Sequence, residues 1–175
     1  ITIITHRNYA RIDNVSVFLI ASPIIKKWHP QLTIGLQKQW MDIEHNSRML
    51  SMDRPLFIGR FNNGIQFPYG WTLHVDLFFQ GKGDFQNIYI NKNVFMMDAS
   101  LTKSFFDDRL SFNLQGIDLT HGRKDGNVIY NKHMDLTVNN VTDSREVRLT
   151  VRYKFNTTKN KYKGKGAAEE EIRRL

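Results

Sequence analysis

Side chains that could do chemistry together are few in this 175-residue chain. The six histidines are His6, His29, His45, His74, His121 and His133. None forms a His-x-His or His-x-x-x-His pair, so they do not lay out a metal site by themselves. Cysteine is absent, which removes disulfides, thiolate-bound zinc and thiol nucleophiles. His74 and Asp76 are two residues apart, which puts both on one face of a strand. They could share a lumen or pocket there, with solvation the simpler role. Arg148, Arg152 and Lys154 alternate with apolar residues in the same way. Three cations on one strand face would be poor in a packed core but suit a water-filled lumen.

Other motifs dissolve on inspection. Gly81-Lys82-Gly83 and Gly164-Lys165-Gly166 lack the spacing and the following Ser/Thr of a phosphate loop. Asp107-Asp108 has the composition of a tight turn rather than of an acid/base pair. Asn140-Val141-Thr142 and Asn156-Thr157-Thr158 match the glycosylation acceptor, a pattern short enough to recur by chance. No Gly-x-Ser-x-Gly elbow is present. No catalytic, metal or cofactor site is expected, and the chain is expected not to be an enzyme.

The elements that would position these residues are strands. Leu32, Ile34 and Leu36 alternate with Thr33, Gly35 and Gln37. Trp71, Leu73, Val75, Leu77 and Phe79 oppose Thr72, His74, Asp76, Phe78 and Gln80. Phe95, Met97, Ala99 and Leu101 oppose Met96, Asp98, Ser100 and Thr102. Leu110, Phe112 and Leu114 oppose Ser111, Asn113 and Gln115. Val147, Leu149, Val151, Tyr153 and Phe155 oppose Arg148, Thr150, Arg152 and Lys154. Such alternation means strands with one apolar and one polar face. Phe57 to Phe67 follows the pattern with Arg60 on its polar face, except that Asn63 interrupts the apolar one. Val15 to Ser22 is apolar on both faces and receives no orientation. With the opening segment Ile1 to His6, this predicts about eight strands.

The links alternate in length. Lys27-Trp28-His29-Pro30, Pro68-Tyr69-Gly70 and Phe106-Asp107-Asp108 read as tight turns; 43–54, 80–93 and 121–143 read as long loops. Short turns at one end and long loops at the other describe an up-and-down barrel of the outer membrane. Trp28, Phe67, Tyr69, Trp71, Phe105, Phe106, Tyr153 and Phe155 gather at the short-turn end, as an interfacial aromatic girdle would. The longest wholly apolar run, Val17 to Ala21, is far too short for a spanning helix of roughly 20 residues. Net charge is +8, with much of the excess in Lys159, Lys161, Lys163 and Lys165. No basic stripe with aromatic platforms accompanies it, and nucleic acid is not an expected partner. The polar segment 157–175 is expected to be a flexible periplasmic tail after strands filling 1–156. The opening residues read as a strand already under way, as if cut from something longer.

The stretch Arg145-Glu146-Val147-Arg148-Leu149-Thr150-Val151-Arg152-Tyr153-Lys154-Phe155-Asn156, followed by Lys161-Tyr162-Lys163-Gly164, resembles the end of TonB-dependent outer-membrane receptors. It is most similar to their "outer membrane β-barrel family" subgroup. Pro30-Gln31-Leu32-Thr33, Gln37-Lys38-Gln39-Trp40, Arg60-Phe61-Asn62-Asn63 and Lys82-Gly83-Asp84-Phe85-Gln86-Asn87 are similar to the same subgroup. The resemblance implies the C-terminal strands of a barrel of 22 strands that surrounds a plug and imports a nutrient with energy from TonB. It implies outer-membrane lipid, TonB acting through a plug absent from this sequence, barrel-assembly machinery and a small-molecule or oligomeric nutrient as partners. Val151, Tyr153 and Phe155 match the family's assembly signal. Arg60, His74, Asp76, Asp98, Arg148 and Arg152 are the polar-face candidates for ligand contact, and the long links 43–54, 80–93 and 121–143 are expected to help capture ligand. The alternative is a soluble all-β binding module, a sandwich or lipocalin-like barrel, in which the apolar faces pack inward.

Overall fold

A computed structural model describes residues 11–155. The opening segment and the basic tail expected at 157–175 lie outside the described residues. Among the described residues thirteen strands run in chain order. Seven of them form one antiparallel sheet: β1 (Asp13–Ala21), β2 (Trp28–Trp40), β5 (Leu56–Phe67), β6 (Trp71–Gln80), β9 (Val94–Phe105), β10 (Leu110–Ile117) and β13 (Glu146–Tyr153). Each pairs with its neighbours in sequence order, so the sheet is an up-and-down wall. It is open: β1 and β13 are its two edges among the described residues.

Register shows that the alternation read from the sequence is continuous from strand to strand. On one face Leu32, Phe61, Leu77 and Met97 stand in one cross-strand row. Leu73, Leu101, Leu114 and Leu149 make another. On the other face Gln31, Asn62, Asp76 and Asp98 line up. Register also orients β1, whose composition could not. Val17 faces Leu36 and Leu19 faces Ile34 on the apolar side, leaving Phe18 on the polar side over Gly35. Any side chain at position 35 would begin 2.5 Å from the Phe18 ring, so a glycine is what lets this ring lie on its neighbour.

The Asn63 interruption has a local cause. Asn63 lies opposite Pro30 and accepts a hydrogen bond at Oδ1 from the Trp28 indole. The girdle tryptophan thus satisfies the one amide on that part of the apolar face.

Two expectations need correction. The first link is displaced: Trp28, His29 and Pro30 belong to β2, and the turn lies in 22–27, closed by the paired backbones of Ile25 and Trp28. Pro30 is tolerated because β1 pairs with β2 only from Leu32 onward, so the missing N–H breaks no ladder there. The turns at Pro68–Gly70 and Phe106–Asp108 stand where expected, with Tyr69, Gly70, Phe106, Asp107 and Asp108 at positive φ.

The second correction concerns the long links, which are not irregular loops. The first contains the hairpin β3 (Asp42–His45) and β4 (Arg48–Ser51). The second contains β7 (Gly83–Phe85) and β8 (Ile88–Ile90), and the third β11 (Lys124–Tyr130) and β12 (Asp135–Val141). The strands β7, β8, β11 and β12 join in one sheet ordered β12-β11-β8-β7. Short β-branched runs such as Val128-Ile129-Tyr130 can form strands once a partner is near, and Ile88–Ile90 of the neighbouring excursion is that partner.

The packed core also sits here, not in the wall. Met41, Ile43 and Met52 are buried together against Leu50, Tyr89 and Tyr130. By contrast Val17 is 64% exposed, Leu149 64% and Val147 77%. A soluble sandwich would cover such a face; a lipid-facing wall leaves it bare.

Candidate functional site

Polar residues of the wall meet the capping hairpins along β6 and β9. Asp76 and Asp98 are direct cross-strand partners. With Arg60, Phe78, Met96 and Arg123 they line a recess of about 240 Å³. Two residues further along each strand, Gln80 and Val94 line a second recess of about 300 Å³. Its other walls are Phe85, Ile88 and Ile90 from β7–β8 and Asp125 to Asn127 from β11. A recess holding two arginines and two aspartates thus lies next to one of mixed apolar and polar lining, on the face opposite the lipid.

Of the six polar-face candidates, Arg60, Asp76 and Asp98 come together in the first recess. His74 is one row nearer the short turns, over Gly64 and opposite Ser100. Arg148 lies in that same row beyond Gln115 but is engaged by Glu146, through bonds of 2.9 and 3.1 Å. Arg152 is opposite Ser111 on the outermost strand, away from the recess. Arg123 and all of the second recess but Val94 fall in the long links 80–93 and 121–143, which the sequence offered for ligand capture without singling out residues. Only folding back of the third excursion brings Arg123 beside Asp98.

That excursion is held by Asp118, which is buried. Its carboxylate accepts bonds from the Gly122 amide (2.7 Å), the Arg123 amide (3.3 Å) and the Ser144 hydroxyl. Its own amide donates to Asp98 at 2.7 Å. The spacing Asp118-Leu119-Thr120-His121-Gly122 is a visible turn signal, since a short acid can hydrogen-bond the backbone just ahead of it. Burial pushes the Asp118 pKa up, but the bonds from Ser144, Gly122 and Arg123 and the charge of His121 outweigh it, and the net direction is down. A folded pKa below the unfolded value of about 3.9 stabilises the turn fully above that pH and is lost as pH falls through the lower folded value. We expect a spin label at Lys124 to gain mobility only below about pH 4, and Asp118→Asn to be mobile already at neutral pH.

The hairpins are tied to one another as well as to the wall. The Gln39 amide bonds Gln86 from both sides, donating to its carbonyl and accepting from its N–H, each at 2.7 Å. His45 meets the Asn131 carbonyl at 2.7 Å and Asp135 at 3.2 Å, and Lys132 pairs with Glu44 at 2.8 Å. The three excursions therefore make one cap.

The apolar face completes the site's setting. Trp28, Phe67, Trp71, Phe105 and Tyr153 ring the short-turn end. Phe57, Phe79 and Phe95 form a second belt at the cap end, with Phe57 and Phe79 ring centres 5.8 Å apart. The eight steps from Trp71 to Phe79 span about 27 Å of strand. A tilt of about 40° reduces this to roughly 20 Å, comparable with the apolar band of about 25 Å in such walls. Residues 1–153 match the family model described as outer membrane protein beta-barrel family.

The chain belongs to the outer membrane protein beta-barrel family. No curated protein and no solved structure matches it. Membership places the chain in the bacterial outer membrane, with the bare face of this outer membrane β-barrel against lipid. By the family's architecture the short turns are periplasmic and the cap extracellular. Aromatic belts at both ends agree, because amphipathic rings settle at the two headgroup levels.

Proposed function

We propose that this chain is barrel wall from a TonB-dependent outer-membrane receptor that takes up a scarce nutrient, and that it binds rather than transforms its cargo. The observation that supports this most is the pair of adjoining recesses on the polar face, one charged and one of mixed apolar and polar lining walled by the cap strands β7, β8 and β11. A ligand arriving from outside would meet Phe85, Ile88 and Ile90 first, then the charges of Arg60, Asp76, Asp98 and Arg123. Apolar walls with a few convergent polar groups are the general form of a ligand site. In this reading the plug and the contact with TonB belong to the parent protein outside this sequence. Val151, Tyr153 and Phe155 serve as the assembly signal; they lie on or just after an edge strand, the Tyr153 and Phe155 rings meeting at 4.6 Å.

The test is a nutrient panel. Cells lacking the parent protein and cells lacking TonB are grown on siderophore-bound iron, vitamins, glycans and peptides as limiting nutrients. The two strains are expected to share a defect on at least one nutrient. On that nutrient, Asp76→Ala in the parent protein is expected to weaken uptake about tenfold, the equivalent of about 1.4 kcal/mol of lost binding. A parent deletion that impairs growth on no nutrient requiring TonB would end this reading.

A further inference from the structure

The membrane-facing side carries a feature that ligand passage does not use. A groove of about 290 Å³ runs across β6, β9, β10 and β13 on the apolar face. Leu73, Leu101, Leu114 and Val147 form its flanks, and Ala99 opposite Gly116 forms its floor. Two small residues face each other between large ones; Leu119 packs over the Gly116 side, and the trough lies beside Ala99. Leu119 closes the cap end: its amide bonds the Met97 carbonyl at 2.8 Å, and its side chain covers Gly116.

The other end leads to a cation. Lys103 follows Leu101 by two residues on the same face, opposite Trp71 and Phe112. Its ammonium lies 5.2 Å from the Trp71 ring centre and 4.9 Å from that of Phe105, and it donates to the Tyr69 carbonyl. The aromatic belt puts this ammonium at the periplasmic headgroup level. A lysine on a lipid-facing strand reaches for that level and for an anion there. Of its three donors, the Tyr69 carbonyl takes one. About 13 Å of strand separates Ala99 from Lys103.

We propose that this surface binds one glycerophospholipid of the periplasmic leaflet, its phosphate at Lys103 and an acyl chain in the groove. The charge at one end and the apolar trough leading from it match the two parts of that molecule. A second barrel copy would bring another apolar face, with its nearest carboxylates, Asp107 and Asp108, in a turn beyond the strand end rather than on that face. The inference rests on outer-membrane membership and not on any cargo, so a failed uptake test leaves it standing.

The experiment uses the full-length parent protein, purified from outer membranes and given dioleoylphosphatidylglycerol as the probe. Bound lipid is counted by native mass spectrometry after detergent exchange, and heat-modifiable migration on a gel confirms folding. Wild type is expected to retain one lipid. Ala99→Phe, which fills the trough, and Lys103→Gln, which removes the charge, are each expected to lower retention about tenfold. If Ala99→Phe does not fold, Leu114→Trp narrows the same groove. Equal retention in wild type and both variants would overturn the proposal. So would no retained lipid in wild type, or a barrel dimer whose contact covers the groove.

Discussion

Arg54→Ala is expected to destabilise the cap by about 1–3 kcal/mol while the wall stays folded, because the half-exposed guanidinium is partly screened by solvent and what is lost is chiefly the partner of a buried acceptor. The reason is Asp84, whose side chain is 0% exposed. Arg54 Nε reaches Asp84 Oδ2 at 3.0 Å, and the Arg54 amide bonds the same oxygen at 2.9 Å. The Asp84 amide returns a bond to the Arg54 carbonyl at 3.0 Å. The guanidinium also lies 3.7 Å from the Tyr89 ring centre, so one side chain clamps the start of β7 and the face of β8. Partial burial opposes the Arg54 charge, but Asp84 outweighs it and the pKa is raised. Alkaline pH therefore does not part the pair. With the guanidinium removed, a carboxylate out of water keeps only backbone support. Hydrogen exchange in the folded barrel should show β7, β8 and β11 losing protection and β5, β6 and β9 keeping it. Arg54→Lys should fall between, since an ammonium restores the charge but not the planar stacking on Tyr89. Uniform loss across wall and cap would show that the cap is not a separate cooperative unit.

Val75→Arg should lower the stability of the assembled barrel by roughly 2–4 kcal/mol, the cost of a cation at the bilayer midplane of a barrel's lipid face. Val75 lies midway between the belts, opposite Asn63 on β5 and Ala99 on β9. His74→Arg, one residue away, should change stability by no more than about 0.5 kcal/mol. His74 is on the polar face, where water and the carboxylate of Asp76 receive the charge. Reversible urea unfolding of the parent protein in phospholipid vesicles measures both variants. Similar costs at the two positions would mean that the alternation does not separate lipid from lumen.

Local patterning carried much of this fold. A period of two is a property of neighbouring residues, so the runs 71–80 and 94–105 showed their faces without any partner in view. Turn composition at Pro68-Tyr69-Gly70 and Phe106-Asp107-Asp108 was equally local, because those backbones must reach positive φ within a few residues. The aromatic belt at the short-turn end followed from both. The excursions were harder. Ile88–Ile90 and Val128–Tyr130 are too short to announce themselves; each pairs within its own hairpin, and the two hairpins then join through Asn127–Ile129 and Ile88–Ile90 across the intervening wall strands.

The sequence by itself therefore determined an antiparallel wall, which of its faces is apolar along most of its strands, and which end carries short turns. Tertiary structure alone decided how β1 faces, why Asn63 can stand on the apolar side, and that three excursions lock into one cap. It also decided that Arg123 joins Arg60, Asp76 and Asp98. The physical reason is range: alternation is written into consecutive residues, whereas His45 meeting Asn131, or Gln39 meeting Gln86, depends on strands brought side by side by the register of the whole wall.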